Sequence, residues 1–208
     1  MGGTTLLLLA DGRFPAGGHA HSGGLEAAVT AGRVRDLADL DAFLRGRLAT
    51  AGLVSAAFAA AACRSAGVDE LDGELDARTP SPALRKASRA QGRALLRAGR
   101  ALWTLATAER ELHHPVALGV VAAAAGLTPG EAALTAAYGA VTGPASAAVR
   151  LLGLDPYATH ALVARLAPAC DAIAARATTV DHLPACSAPL LDIGAEVHAT
   201  WEVRLFAS

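Results

Sequence analysis

The chain has 208 residues and a formal net charge of −1; 53% of its residues are hydrophobic but only 4% are aromatic. That length suits one domain with a sizeable core, residues 1–208, and a composition led by alanine, the best helix former, favours closely packed helices over a sheet. No basic run and no interleaving of aromatic with basic residues appears, which excludes the electrostatic footprint of a nucleic-acid binder.

In chain order, a leucine-rich opening leads to FPAGGHAHSGGLEAAV, residues 14–29. Pro15 fixes a turn, Gly17 and Gly18 permit backbone angles denied to other residues, and Ser22 can cap a helix that begins near Gly24, Leu25 and Glu26. Asp36 caps the next helix, with Asp39 in its first turn and apolar Leu37, Leu40, Phe43, Leu44 and Leu48 at helical spacing. Ser81 and Pro82 open a long helix whose Leu84, Leu95 and Leu102 alternate with Arg85, Arg89, Arg93, Arg97 and Arg100, a row expected to be a solvated face. Lys86 is the only lysine in the chain, and the sequence assigns it no role.

His114 and Pro115 start a further helix that stops at Gly126. Thr128, Pro129, Gly130 and Glu131 then have the form of a capping box. The helix that follows is apolar all round, is expected to be the most buried, and carries Pro144 as a possible bend. Its stretch Ala132 to Val149 has no charged residue, but alanine, glycine and threonine insert poorly into a bilayer, so it is expected to be a core helix and no membrane contact is expected. Asp155 and Pro156 cap a helix to about Ala177, and a last helix is expected from Ser187 to Trp201, ahead of EVRLFAS. No segment alternates with period two between turn signals, so the expected class is all-α. Cys63, Cys170 and Cys186 lack metal-ligand spacing and no cleavable signal opens the chain, which fits a reducing cytoplasm with the thiols as small core residues.

Three kinds of chemistry can be asked of residues 14–29. Ala20 to Gly24 around Ser22 is a loosened form of the nucleophile elbow of serine hydrolases, without the preceding strand that the motif requires. His19 and His21, two apart, could turn both imidazoles to one side, and His113 with His114 adds two more, enough on paper for a nickel or zinc site. No cysteine or carboxylate joins either pair at a recognisable spacing, so no tightly bound metal and no cofactor are expected. The remaining possibility is a rigid loop that presents side chains to a partner.

Taken together, LLLLADGRFPAGGHAHSGGLEAAV, ASRAQGRALL at 87–96, HPVALGVVAAAAGL at 114–127, AAVRLLGLD at 147–155 and the terminal RLFAS resemble the urease accessory protein F (UreF) family from end to end. The resemblance implies a UreF-like bundle of helices and a non-enzymatic adaptor that helps insert nickel into the urease apoprotein. It further implies a homodimer, a complex with UreD (UreH in some systems), and recruitment of the GTPase UreG, the nickel being handled by the complex. A direct nickel-binding metallochaperone using His19 and His21 is the alternative, and a hydrolase using Ser22 a distant third. The resemblance places partner-binding residues at Phe14, Pro15, Gly18, His19, His21, Ser22, Gly24, Leu25 and Glu26, and at Arg204, Leu205, Phe206 and Ser208. Neither segment carries the apolar helical stripe of a core element, so both are expected to be dispensable for folding.

Overall fold

The structure, a computed structural model, describes residues 3–64, 67–106 and 111–208. Its helices are α1 (Gly3–Ala10), α2 (Leu25–Thr30), α3 (Leu37–Arg47), α4 (Leu53–Arg64), α5 (Val68–Ala77), α6 (Pro82–Arg100), α7 (His114–Ala124), α8 (Pro129–Leu152), α9 (Pro156–Thr179) and α10 (Pro189–Ala199). No strand occurs among the described residues. The all-α expectation holds; α1 and α5 have no counterpart in the sequence reading.

Four helix starts, those of α3, α6, α8 and α9, are set by side-chain caps. Asp36 accepts from the amides of Ala38 and Asp39 at 3.0 and 2.9 Å. Ser81 accepts from Leu84 at 3.1 Å, and Asp155 from Ala158 at 3.0 Å. Thr128 and Glu131 form the reciprocal box, the Glu131 amide donating to the Thr128 hydroxyl at 3.2 Å and the Thr128 amide to the Glu131 carboxylate at 2.7 Å. These contacts satisfy amides that the first helical turn leaves unpaired.

α4, α7, α8 and α9 pack together at the centre, α6 lies on α7, and α10 lies against α6 and α2. Alanine does what its abundance implies: Ala56, Ala57, Ala59, Ala117, Ala132, Ala133, Ala137 and Ala148 are buried, and small side chains let the axes approach. The apolar interior divides into two clusters, one around Phe58, Leu96, Val116 and Val121, the other around Leu25, Leu40, Leu44, Leu162, Leu166 and Phe206.

α3 and α4 are one continuous rod joined by a π-helical turn at Leu48–Gly52. The turn inserts a residue into the helical repeat, and the Thr50 hydroxyl donates to the Gly46 carbonyl at 2.8 Å beside it. Before the turn, Leu40, Leu44 and Leu48 face the second cluster; after it, Leu53, Ala56 and Phe58 face the first. Among the described residues this rod is also the one helix long and apolar enough to cross a membrane, and more than half of its most apolar window is buried within the fold.

Pro144 sits inside α8 and has no amide to give to the Ala140 carbonyl one turn earlier. Arg47 supplies the missing donor, its Nε reaching that oxygen at 3.2 Å.

The arginine row of α6 is only partly a solvated face. Arg97 and Arg100 are exposed, but Arg89 reaches Asp72 at 2.9 Å and Asp76 at 2.8 Å, both on α5. Asp76 also takes the Nε2 of fully buried His113 at 3.1 Å, and Asp72 the His113 amide at 2.7 Å. These contacts staple α5, α6 and the start of α7 together.

Candidate functional site where the loop meets the chain end

Residues 14–26 and 204–208 are joined to one another. The short 3-10 turn Gly18–Ala20 leads to Gly23 and Gly24, whose φ angles of 64° and 89° lie in the left-handed region that glycine adopts at little cost. Those angles let the chain reverse into α2 while Ser22 points inward. The Ser22 hydroxyl accepts from the Glu26 amide at 3.2 Å, as a cap would, and donates to the Ser208 backbone oxygen at 2.8 Å. That same oxygen receives the Ser22 amide at 2.6 Å, and the Ala207 amide donates to the Ala20 carbonyl at 2.7 Å. His21 Nδ1 lies 2.7 Å from the Ser208 hydroxyl.

Glu26 is the hub. Its carboxylate accepts from the Leu205 amide at 2.8 Å, the Phe206 amide at 3.0 Å and His198 Nε2 on α10 at 2.8 Å. Burial works against its charge, but the hydrogen bonds from His198, Leu205 and Phe206 outweigh burial and hold its carboxyl below the ordinary glutamate value. A carboxyl depressed in the folded state contributes stability above its unfolded pKa and loses it as pH falls through the folded value. Glu26→Gln should therefore melt lower than the native chain at about pH 7, with the gap narrowing below about pH 4. Melting by circular dichroism across that range checks it; a gap independent of pH would show that the carboxylate charge does not hold the segment.

The structure corrects the expectation that both segments are dispensable for folding. Phe14, Ser22, Leu25, Glu26 and Phe206 are buried, and Phe14, Leu25 and Phe206 belong to the apolar clusters. Phe206 also lies under the Arg150 guanidinium, 4.8 Å from the ring centre. Pro15, Gly18, His19, Arg204 and Leu205 are exposed, whereas His21, Gly24 and Ser208 are partly buried. The inward set fixes the backbone and the outward set is what a partner could touch.

Between α6 and α10 this arrangement opens a cleft of about 280 Å³, lined by His21, Lys86, His198, Arg204 and Ser208. Lys86 and Arg204 are exposed cations with no ion pair among the described residues, so the cleft suits an anionic group. Sequence reasoning missed Lys86 and His198. A solitary lysine in an arginine-rich chain was the only signal for the first, and nothing local pointed to the second.

The residues weighed for the other chemistries are engaged elsewhere in the fold or stand apart among the described residues. The Ser22 hydroxyl is fully buried, and its hydrogen bonds run to backbone groups, not to a histidine base. Among the described residues no group of three or more histidine, cysteine or acidic side chains could hold a metal ion. His113 is spent on α5, while burial, with a smaller contribution from His21, pushes His114 down to about 4, leaving it neutral at physiological pH. Burial, with His19 nearby, also lowers His21.

The UreF family model matches residues 34–167. The chain belongs to the UreF family. Relatives carrying the name urease accessory protein UreF match almost throughout. The protein of Mycobacterium sp. strain JLS is 51% identical over 209 residues, 99% of this chain and 98% of its own. That of Mycobacterium marinum is 49% identical over 207 residues, covering 98% and 97%. That of Mycobacterium tuberculosis strain H37Rv is 46% identical over the same span and coverage. The family model begins at Val34, after the loop, and ends before the terminal segment, so in this UreF-family chain the joined site lies outside the matched core and within the full-length similarity.

Proposed function

We propose that this chain acts in urease maturation as a cytoplasmic, non-enzymatic adaptor that docks UreD (UreH) and the GTPase UreG onto the urease apoprotein and works as a homodimer. One observation carries the reading: similarity over 99% of the chain to proteins named for urease accessory function. The exposed part of the joined site supports it. His19 and Arg204 project from backbone held by Glu26 and Ser22, and an arginine beside apolar Leu205 on a fixed scaffold is the residue type that dominates interface energies. Nickel is handled by the assembled complex and is not held tightly by His19 and His21.

Neither His19 nor Arg204 makes a hydrogen bond within the fold of the described residues, so each can be changed without loosening it. Arg204→Ala is expected to weaken capture of UreD and UreG by about thirtyfold, the roughly 2 kcal/mol of a hot-spot arginine, with thermal unfolding unchanged. Pull-down with coexpressed UreD, UreG and urease subunits, read beside urease activation in cells, tests it. Full capture and full activation by both His19→Ala and Arg204→Ala would reject the docking site; failure of the native chain to capture any of these proteins would reject the adaptor role.

A further inference from the structure

A second cavity, of about 370 Å³, lies on the other side of the Gly23–Gly24 turn between α3 and the segment entering α10. Arg47 is at its wall, pinned by its Nε bond to Ala140 and lying so close under the turn that a side chain at Gly23 would meet the guanidinium at 3.0 Å. Nothing negative answers this cation: among the described residues no carboxylate lies within ion-pair distance of Arg47. Burial lowers its pKa only to about 10, so it stays charged at neutral pH. Arg33, which also lines the cavity, has no ion pair among the described residues either, and the one lining carboxylate, Asp39, is held by Arg35 at 3.0 Å. The other walls are apolar, with Val34, Phe43, Pro189 and Leu190 prominent.

We propose that this cavity is a docking pocket for a short segment of a partner protein in which a carboxylate side chain stands between apolar residues. The carboxylate meets Arg47, half-buried at the wall, and the exposed Arg33 at the rim, two lining cations without an ion pair among the described residues, and the flanking side chains meet Phe43 and Leu190. A polypeptide fits better than a free small anion because the apolar surface does not stop at the rim. Leu190, Ile193 and Val197 follow one another along α10 at 60%, 60% and 50% exposure, a stripe that continues the pocket wall outward and that an isolated anion would leave uncovered. The inference stands on the cavity itself and does not require the urease assignment.

The probe is the acetylated, amidated tetrapeptide Leu-Phe-Glu-Leu, with Leu-Phe-Gln-Leu and hexanoate as comparisons, each titrated to about 5 mM into the full chain while amide resonances are followed. The Glu peptide is expected to shift Gly24, Ala42 and Gly46, and the Gln peptide and hexanoate to bind at least tenfold more weakly. Arg47→Gln should abolish the shifts. Because that change also frees the Ala140 carbonyl, Arg33→Gln is the safer variant: its side chain makes no hydrogen bond among the described residues, and it should weaken binding at least threefold with an unchanged melting curve. No shift at these residues, equal binding of the Gln peptide, or no effect of Arg33→Gln would overturn the pocket. Hexanoate binding as tightly as the peptide would make it a small-carboxylate site, and shifts that grow with protein concentration alone would make the occupant a second copy; either result also overturns the proposal.

Discussion

Phe206→Ala should lower the stability of the folded chain by about 3 kcal/mol, within the usual range for truncating a core aromatic, and the melting midpoint by roughly 10 °C. Phe206 is only 4% exposed although it stands two residues from the end of the chain, and it shares a cluster with Leu25, Leu40 and Leu162. Its loss would remove the ring beneath Arg150 and slacken the backbone that gives Glu26 two of its hydrogen bonds. Leu205→Ala, at a half-exposed neighbour, should change stability by no more than about 0.5 kcal/mol. Equal melting of the two variants would show that the terminal segment rests on the surface without supporting it. Removing Arg204 to Ser208 altogether should cost at least as much as Phe206→Ala. Loss of partner capture by such a truncation therefore reports partly on folding, which is why Arg204→Ala is the cleaner test of docking.

Gly119→Ala should cost about 2–3 kcal/mol even though alanine is the better helix former by roughly 1 kcal/mol. At Gly119 the backbones of α4 and α7 are in contact. A methyl group there would press on the Ala59 carbonyl oxygen and lie 2.6 Å from the Ala62 Cβ and 2.8 Å from the Cys63 nitrogen, and backbone atoms of a central helix have nowhere to go. Gly139→Ala on the exposed side of α8, where nothing lies within 4 Å, should instead stabilise by up to about 1 kcal/mol. Chemical denaturation of both variants separates packing from propensity. A stabilised Gly119→Ala would mean that α4 and α7 are less closely apposed than described.

What was legible in the sequence was local. Asp36, Ser81, Thr128 and Asp155 announced their helices because a capping side chain acts on amides two or three residues away, and in the last three a proline at the first helical position marks the same boundary. α1 is a short, leucine-rich run without a polar face, and α5 opens on Gly67 without a side-chain cap, so both escaped. Missing α5 hid Asp72 and Asp76, and with them the reason that Arg89 is not a solvated residue. The candidate site failed to show for a related reason. The bonds of Glu26 to Leu205 and Phe206 span about 180 positions, and a pairing at that separation leaves no periodicity or spacing in the chain. The loop and the terminal segment could each be singled out, but not the fact that they hold one another.

The π-helical turn at Leu48–Gly52 makes the number of residues as binding as their kind. A helix advances by about 100° per residue, so the one residue the turn absorbs sets the phase between two halves of a rod that serve different clusters. Leu40 and Leu44 would keep their places if that residue were lost, but Phe58 and the alanines of α4 would swing by about a quarter turn, carrying apolar groups off α7. In this stretch substitutions that keep size and polarity are tolerable in a way that an insertion or deletion of a single codon is not, and lineages of this chain should drift in letters between Leu37 and Arg64 while holding the count between them fixed.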